Sequence, residues 1–111
     1  MSLAVQKAGL FEADVARHFG WYLEQANEEA AWRFLSSVDG TLFSLSRQPE
    51  LGRRRHFRNP LLSDLRSFRV EPPFNKLLIF YRTSDDVLYA WRLMHGTRDR
   101  QRRLLEPPNA P

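Results

Sequence analysis

His95 is the side chain in this sequence that is best suited to acid–base chemistry. It ends a run of apolar residues that predicts a strand, and Gly96 follows it directly. The imidazole would therefore stand at the end of a sheet beside a residue that permits a sharp turn, a place where active sites often lie. An imidazole can take or give a proton near neutral pH. The alternative, which we favour, is a structural histidine whose ring binds a neighbouring backbone group.

Arginine supplies most of the positive charge. It accounts for fifteen of the seventeen cationic side chains. Residues 1–50 carry four basic and seven acidic residues, a net charge of −3, whereas residues 51–111 carry thirteen and six, a net charge of +7. A basic C-terminal half favours an acidic partner such as nucleic acid, the ribosome or an acidic protein segment. An arginine-biased genome would give the same composition and remains an alternative.

The densest positive cluster runs from Arg53 to Arg58 and includes Arg54, Arg55 and His56. So many neighbouring charges suit neither face of a packed strand, so the sequence predicts a loop or an irregular edge. Guanidinium groups bind phosphate and carboxylate through paired hydrogen bonds, and the cluster is a candidate binding surface. A charged loop that only keeps the protein soluble is the alternative.

Two amphipathic helices are predicted in the first half. The first has its apolar residues on one face, at positions 11, 15, 19, 22 and 23. The second begins after a predicted N-cap at Asn27 and has its apolar residues at positions 31, 34, 35, 38, 42 and 45. Trp32 and Trp91 fall within apolar patterns and are expected in the core, whereas Trp21 fits its helix poorly and is expected to be exposed.

Three short strands are predicted in the second half, from Leu65 to Val70, Lys76 to Arg82 and Val87 to Met94. The last two are apolar at odd and even positions alike, which predicts packing on both faces. With a short edge strand at residues 3–7, the fold is an α+β domain spanning residues 1–111. Its order is strand, helical hairpin and three-stranded antiparallel meander, with a short tail whose residues 106–111 are expected to be frayed.

Several classes of protein do not fit the sequence. No apolar run approaches the about 18 residues that a membrane helix needs, the N-terminus lacks a signal-peptide pattern, and there is no cysteine. We therefore expect a cytoplasmic protein without a membrane partner. No metal-ligand spacing, glycine-rich phosphate loop or nucleophile elbow occurs, so neither a metal nor a cofactor is expected.

Together, the order of elements and a set of short motifs resemble the RelE/ParE superfamily of toxins from type II toxin–antitoxin modules. The resemblance extends from about Leu3 to Leu105, and its most specific parts, the strand IFYR and the terminus R-x-x-H-G-x-R-D, point to the ParE-like branch. The motifs are Tyr22-Leu23, Ala30–Leu35, Pro49-x-x-Gly52-Arg53, Leu65-Arg66-x-Phe68-x-Val70, Leu78-Ile79-Phe80-Tyr81-Arg82 and Arg92-x-x-His95-Gly96-x-Arg98-Asp99.

The ParE-like branch implies a toxin that inhibits DNA gyrase by binding it, without chemistry of its own. It also implies a cognate antitoxin, expected to be acidic and encoded beside this gene, in a toxin–antitoxin hetero-oligomer. The residues expected to bind the target are Arg53, Arg54, Arg55, His95, Arg98 and Arg102. Those expected to bind the antitoxin are Trp21, Tyr22 and Arg82.

The RelE-like branch implies a ribosome-dependent mRNA endonuclease, which is the alternative function. Its conceivable catalytic residues here would be His95, Arg66, Arg82, Arg92 and Tyr81. The sequence departs from that pattern, because Lys76 is the only lysine in the sheet region and arginine is a poor general base. Whether the three arginines share a sheet face depends on register, which the sequence leaves open. They could equally pair internally with acidic residues, for which the candidates are Asp64, Glu71, Asp85 and Asp99.

Overall fold

The computed structural model describes residues 2–96 and 103–106. Along the chain, strand β1 is followed by helices α1 and α2 and then by strands β2 to β5. Single 3₁₀ turns at Pro49–Leu51 and Pro60–Leu62 precede β2 and β3. The bounds are β1 Ala4–Lys7, α1 Gly9–Gln25, α2 Glu28–Arg47, β2 Arg53–Arg54, β3 Arg66–Arg69, β4 Leu77–Ser84 and β5 Val87–His95.

The strands form one sheet in the order β1-β5-β4-β3-β2. β1 runs parallel to β5, and every other neighbouring pair is antiparallel. The predicted α+β order and the meander of β3, β4 and β5 are confirmed. The sequence did not predict β2, whose two residues pair with β3 at the sheet edge inside the segment expected to be a loop or irregular edge. Such a short, charged edge strand discourages pairing with other chains.

The start of α2 follows from one side chain. Asn27 Oδ1 accepts a hydrogen bond from the Ala30 amide at 2.8 Å, so the predicted N-cap is confirmed. Gly40, which a helix interior disfavours, lies where α2 meets the turn after β3. A Cβ at Gly40 would lie 3.1 Å from the Glu71 carboxylate oxygens, and the neighbouring Thr41 hydroxyl accepts a hydrogen bond from the Glu71 amide at 3.0 Å. The exposed Glu71 side chain can shift by the few tenths of an ångström that a methyl group at Gly40 would need, so this contact does not by itself impose a glycine.

Both faces of the sheet are packed, as the apolar pattern of β4 and β5 predicts. The first core lies between the helices and the sheet and includes Phe11, Phe34, Leu45, Ile79 and Leu93. A smaller second core covers the opposite face. It consists of the buried residues Leu62, Leu65, Phe80, Met94 and Leu104, with Phe57, Leu78 and Trp91 partly buried around them.

Three tryptophans test the pattern of burial. Trp21 is exposed, as predicted, whereas the prediction for Trp32 is wrong because 55% of its surface is accessible. Trp32 only rests edge-on against Phe19, with ring centroids 5.2 Å apart, on the outside of the helical hairpin. Trp91 is half-buried at the margin of the second core.

The end of the chain is partly described. Glu106, the first residue of the tail that the sequence predicts to be frayed, is half-buried, and its carbonyl accepts a hydrogen bond from Arg92. Residues 107–111 lie outside the described part. Within residues 2–96 and 103–106, neither helix combines the length and the apolar character needed to cross a membrane.

Candidate functional site

An open groove of about 570 Å³ runs beside the C-terminal half of α1, where the end of β5 approaches that helix. It brings together Trp21, Tyr22 and His95, three residues that the sequence assigned to two different surfaces. The remaining lining residues are Ala16, Arg17, His18, Gly20 and Glu24. The groove thus combines aromatic rings, two imidazoles, one guanidinium group and one carboxylate.

The two imidazoles lie close together in this groove. The ring centroids of His18 and His95 are 5.9 Å apart, and the planes are nearly perpendicular. Burial lowers the pKa of His18 to about 4, with Arg17 and the neighbouring His95 acting in the same direction and Asp14 opposing them. His18 is therefore neutral at neutral pH, whereas His95 is exposed.

Sequence reasoning missed His18, although a signal was present. Positions 11, 14, 18 and 22 follow one another at spacings of three, four and four residues, which is one stripe of a helix. Asp14 and His18 interrupt this otherwise apolar stripe. Asp14 is buried and binds Arg92, whereas His18 is half-buried and contacts the ring of His95.

Trp21 and Tyr22 form the aromatic wall of the groove. Their ring centroids are 5.2 Å apart in an edge-on arrangement, and Trp21 is 57% exposed. Tyr22 in turn contacts the buried rings of Phe34 and Phe74 at 5.2 and 5.3 Å, and burial raises the pKa of its phenol. A large exposed ring supported by a rigid aromatic cluster is typical of a binding anchor.

Tyr81, a conceivable catalytic residue, is instead engaged in holding a turn. Its side chain is completely buried, its hydroxyl donates to the Pro49 carbonyl at 2.7 Å, and the same oxygen accepts from the Gly52 amide at 2.9 Å. Burial raises its pKa, opposed by the hydrogen bond from Gly52. A Cβ at Gly52 would lie 2.2 Å from this hydroxyl, which explains the Pro49-x-x-Gly52 motif.

Arg66 and Arg82 lie on opposite faces of the sheet. Arg66 pairs with Tyr81, and Arg82 is the next residue on β4, so their side chains point in opposite directions. Arg66 donates to the Gly52 carbonyl at 2.8 Å. Arg82 lies over the Trp91 ring at 5.6 Å and donates to the Leu61 carbonyl at 2.7 Å. It is therefore remote from Trp21 and Tyr22, with which it was grouped for antitoxin binding.

Arg92 is buried and does not form part of a cationic surface. Its Nε and Nη2 donate to the two carboxylate oxygens of Asp14 at 2.6 and 2.9 Å, and both residues are at most 3% exposed. Asp14 Oδ2 also accepts from the Leu93 amide at 3.0 Å. Internal pairing was one of the two interpretations, but the partner is none of the four acidic residues considered. It is Asp14, on the same stripe of α1 as His18.

The arginine cluster divides into exposed and anchored members. Arg53 and Arg54 are exposed on the edge strand β2, and Arg54 makes a long ion pair with Asp64 at 3.8 Å. Arg55 donates to Ser67 Oγ at 2.7 Å, and its guanidinium group lies over the Phe80 ring of the second core. Arg98 and Arg102, the other arginines expected to bind the target, lie outside the described residues.

The structure thus does not bring the five conceivable nuclease residues together at one site: Arg66 and Tyr81 meet at Gly52, and Arg82 lies on the opposite face of the sheet. His95 pairs with Leu77 at one end of β4, while Arg82 pairs with Tyr89 near the other end. Tyr81 and Arg92 are buried and occupied by partners. In residues 2–96 and 103–106, no three potential ligand side chains from His, Asp or Glu come together as a metal site.

Comparison with known proteins gives the family. The sequence profile of the "ParE toxin of type II toxin-antitoxin system, parDE" matches residues 5–100, which is most of the chain. No curated protein sequence matches.

Two solved structures show the same fold at low sequence identity. The chromosomal ParDE toxin–antitoxin system from P. aeruginosa superposes with a TM-score of 0.69 at 14% identity, covering 86% of this chain and 98% of that chain. The toxin–antitoxin complex RelBE2 from Mycobacterium tuberculosis superposes with a TM-score of 0.53 at 17% identity, covering 86% of this chain and 100% of that chain. With the profile match, the order of elements and the motifs in agreement, this chain belongs to the ParE toxin family of type II toxin–antitoxin systems.

Proposed function

We propose that this toxin inhibits DNA gyrase by binding to it in the cytoplasm and is neutralised by a cognate antitoxin. Family membership supplies the class of protein, and the dispersal of Arg66, Tyr81, Arg82, Arg92 and His95 favours binding over turnover. Catalysis requires acid, base and phosphate-binding groups around one reacting atom. Buried groups that already bind Pro49, Gly52 and Asp14 do not fulfil that requirement.

The target surface that we propose includes Arg53 and Arg54. These guanidinium groups are exposed, neighbouring and located on an edge strand, where a macromolecule can approach them without rearrangement of the core. The hydrogen bond from Arg55 to Ser67 of β3 helps to hold this segment against the neighbouring strand. We assign Arg98 and Arg102 to the same function on the basis of sequence alone.

The antitoxin surface that we propose is the groove beside α1. Trp21 and Tyr22 offer apolar anchoring, while Arg17 favours an acidic residue of the partner and Glu24 favours a basic one. An amphipathic helix with charged residues along its margin fits such a groove. The β1 edge, exposed along its whole length, can accept an added strand from the same partner. We therefore expect the functional form of the antitoxin complex to be a hetero-oligomer.

Plasmid topology in cells tests the gyrase proposal. Induction of the toxin alone should arrest growth and relax a reporter plasmid within one division time, and co-expression of the antitoxin should restore both growth and negative supercoiling. Growth arrest with normal plasmid supercoiling would contradict the proposal.

A second candidate function is a ribosome-dependent endoribonuclease. The observation in its favour is the pair of imidazoles in the groove, since neutral His18 and exposed His95 lie 5.9 Å apart next to Arg17. It predicts codon-phased mRNA cuts on translating ribosomes, and His95→Ala should abolish them. A fully toxic His95→Ala variant would exclude catalysis by this residue.

A further inference from the structure

We propose that Asp14 is a positioning residue for toxicity, because it holds Arg92 in the orientation that clamps the C-terminal segment Arg103–Glu106 onto the sheet. The inference rests on the proposed function, in which Arg102, the residue before this segment, contacts the target. It adds a role for two buried side chains that belong neither to the groove nor to the arginine edge.

The clamp consists of donors on β5 and acceptors on the C-terminal segment. Arg92 Nη1 donates to the Arg103 carbonyl at 2.6 Å and also to the Glu106 carbonyl, and Trp91 Nε1 donates to the Leu104 carbonyl at 3.1 Å. All three acceptors are backbone oxygens, so these hydrogen bonds depend on the backbone conformation of the segment and not on the identity of its side chains. Leu104 is completely buried in the second core and supplies the apolar contact.

Asp14 determines which nitrogens of Arg92 are available for this clamp. Its two oxygens bind Nε and Nη2, which leaves Nη1 directed at the C-terminal carbonyls. The guanidinium group is planar, so fixing one edge fixes the other. Asp14 is itself held by the Leu93 amide, on the part of β5 beyond the β1 pairing. A continuous series of hydrogen bonds therefore connects α1, β5 and the C-terminal segment.

Burial makes the arrangement dependent on both partners. Removing the carboxylate leaves a buried guanidinium group without its counter-charge, and such a group tends to move toward water. We expect Asp14→Asn to release Arg103–Glu106 even if the helices and the sheet stay folded. Arg92→Lys keeps the positive charge beside Asp14 but carries its donors on a single nitrogen, so it lacks the two separate edges with which the guanidinium group spans the carboxylate and the carbonyls.

Three variants and one control test the inference. The variants are Asp14→Asn, Arg92→Lys and Trp91→Phe. The last removes the hydrogen bond to Leu104 and leaves the buried ion pair intact, while an aromatic ring, though a smaller one, remains beneath Arg82. Leu35→Ala is the control, because Leu35 packs against the first core and destabilises the fold without involving the clamp. Amide exchange at Glu106, whose N–H donates to the Arg103 carbonyl, reports release of the segment, and the toxin level that arrests growth reports function.

Asp14→Asn and Arg92→Lys should accelerate exchange at Glu106 and raise the arresting toxin level by about tenfold or more, with Trp91→Phe showing a smaller shift in both. The control should lower Tm while leaving both readouts near the wild-type values. A released segment with wild-type toxicity, or an equal loss of toxicity in the control, would overturn the inference. If Asp14→Asn does not fold, Trp91→Phe still tests the inference, because faster exchange at Glu106 with unchanged toxicity in this variant would overturn it. Growth arrest without gyrase inhibition would contradict the proposed target only. The clamp is tested by the ratio of the arresting toxin level of each variant to that of wild type, whatever the target is.

Discussion

Gly52 lies directly against the hydroxyl of Tyr81, and this contact connects the turn after α2 to the centre of β4. The hydroxyl bonds both Pro49 and Gly52, while Arg66 bonds the Gly52 carbonyl from the neighbouring strand. The turn that leads into the exposed Arg53 and Arg54 is thereby fixed from the core. The motif Pro49-x-x-Gly52 positions the arginine edge and does not itself take part in chemistry.

Gly52→Ala should destabilise the fold by about 1 to 3 kcal/mol, because the new methyl group clashes with the Tyr81 ring and its hydroxyl. The matched control is Gly20→Ala, in the interior of α1 with no atom within 4 Å of the added Cβ, which should stabilise by about 0.5 to 1 kcal/mol. Urea denaturation measures both. Equal stability of Gly52→Ala and wild type would refute the steric explanation.

Tyr81→Phe separates a structural role from a catalytic one. Loss of the hydroxyl leaves the Gly52 amide without its acceptor and should cost about 1 to 2 kcal/mol of stability. At a temperature where the variant remains folded, its toxicity per molecule should equal that of wild type. Codon-phased cutting of mRNA by wild type that is lost in the folded variant would instead favour the nuclease alternative.

His18 makes stability depend on pH in a defined direction. Its pKa is lowered to about 4 in the folded protein, so as the pH falls below the ordinary value of 6.5 the unfolded chain binds the proton first. The stabilising contribution is complete above that value and is lost as the pH falls toward about 4. After allowance for partial solvent exposure, the loss should be about 1 to 2 kcal/mol.

His18→Gln provides the comparison, since it cannot titrate and the carboxylates are common to both proteins. The free energy of unfolding of the variant should fall less steeply than that of wild type between about pH 7 and pH 4. Parallel curves for the two proteins would show that His18 is not responsible.

Trp21 should dominate binding of the antitoxin. Trp21→Ala removes the exposed ring at the groove and should weaken affinity by about thirtyfold, or about 2 kcal/mol, as measured by calorimetry. Trp32→Ala is the matched control, because this ring is about equally exposed but does not line the groove. If both variants bind equally well, the antitoxin occupies another surface.

Reversing charge at Arg53 and Arg54 should weaken action on the target without changing the fold. Arg53→Glu/Arg54→Glu alters two exposed side chains, and we expect inhibition to need about tenfold more toxin or greater. The control, Arg33→Glu/Arg69→Glu, introduces the same change of charge at exposed positions elsewhere. Equal potency of the two double variants would show that Arg53 and Arg54 do not bind the target, and would favour the alternative of a charged edge that only keeps the protein soluble.

The sequence predicted the fold well because its periodicities are local. The helical face beginning at Phe11 and the N-cap at Asn27 depend on neighbouring residues only. Long-range pairings were the part that could not be predicted. The partner of Arg92 lies 78 residues away on α1, and the register of β3 with β4 decides that Arg66 and Arg82 face apart. Trp32 was misplaced because it follows the buried Ala31 in sequence, whereas one residue along a helix turns the side chain by about 100° away from the buried stripe.

Supercoiling by purified gyrase, measured over a titration of the purified toxin, tests most directly whether the protein acts by binding. We predict that inhibition develops as the toxin approaches the gyrase concentration and that added antitoxin reverses it. Unchanged supercoiling at micromolar toxin, together with repeated cutting of RNA by each toxin molecule, would contradict this mechanism.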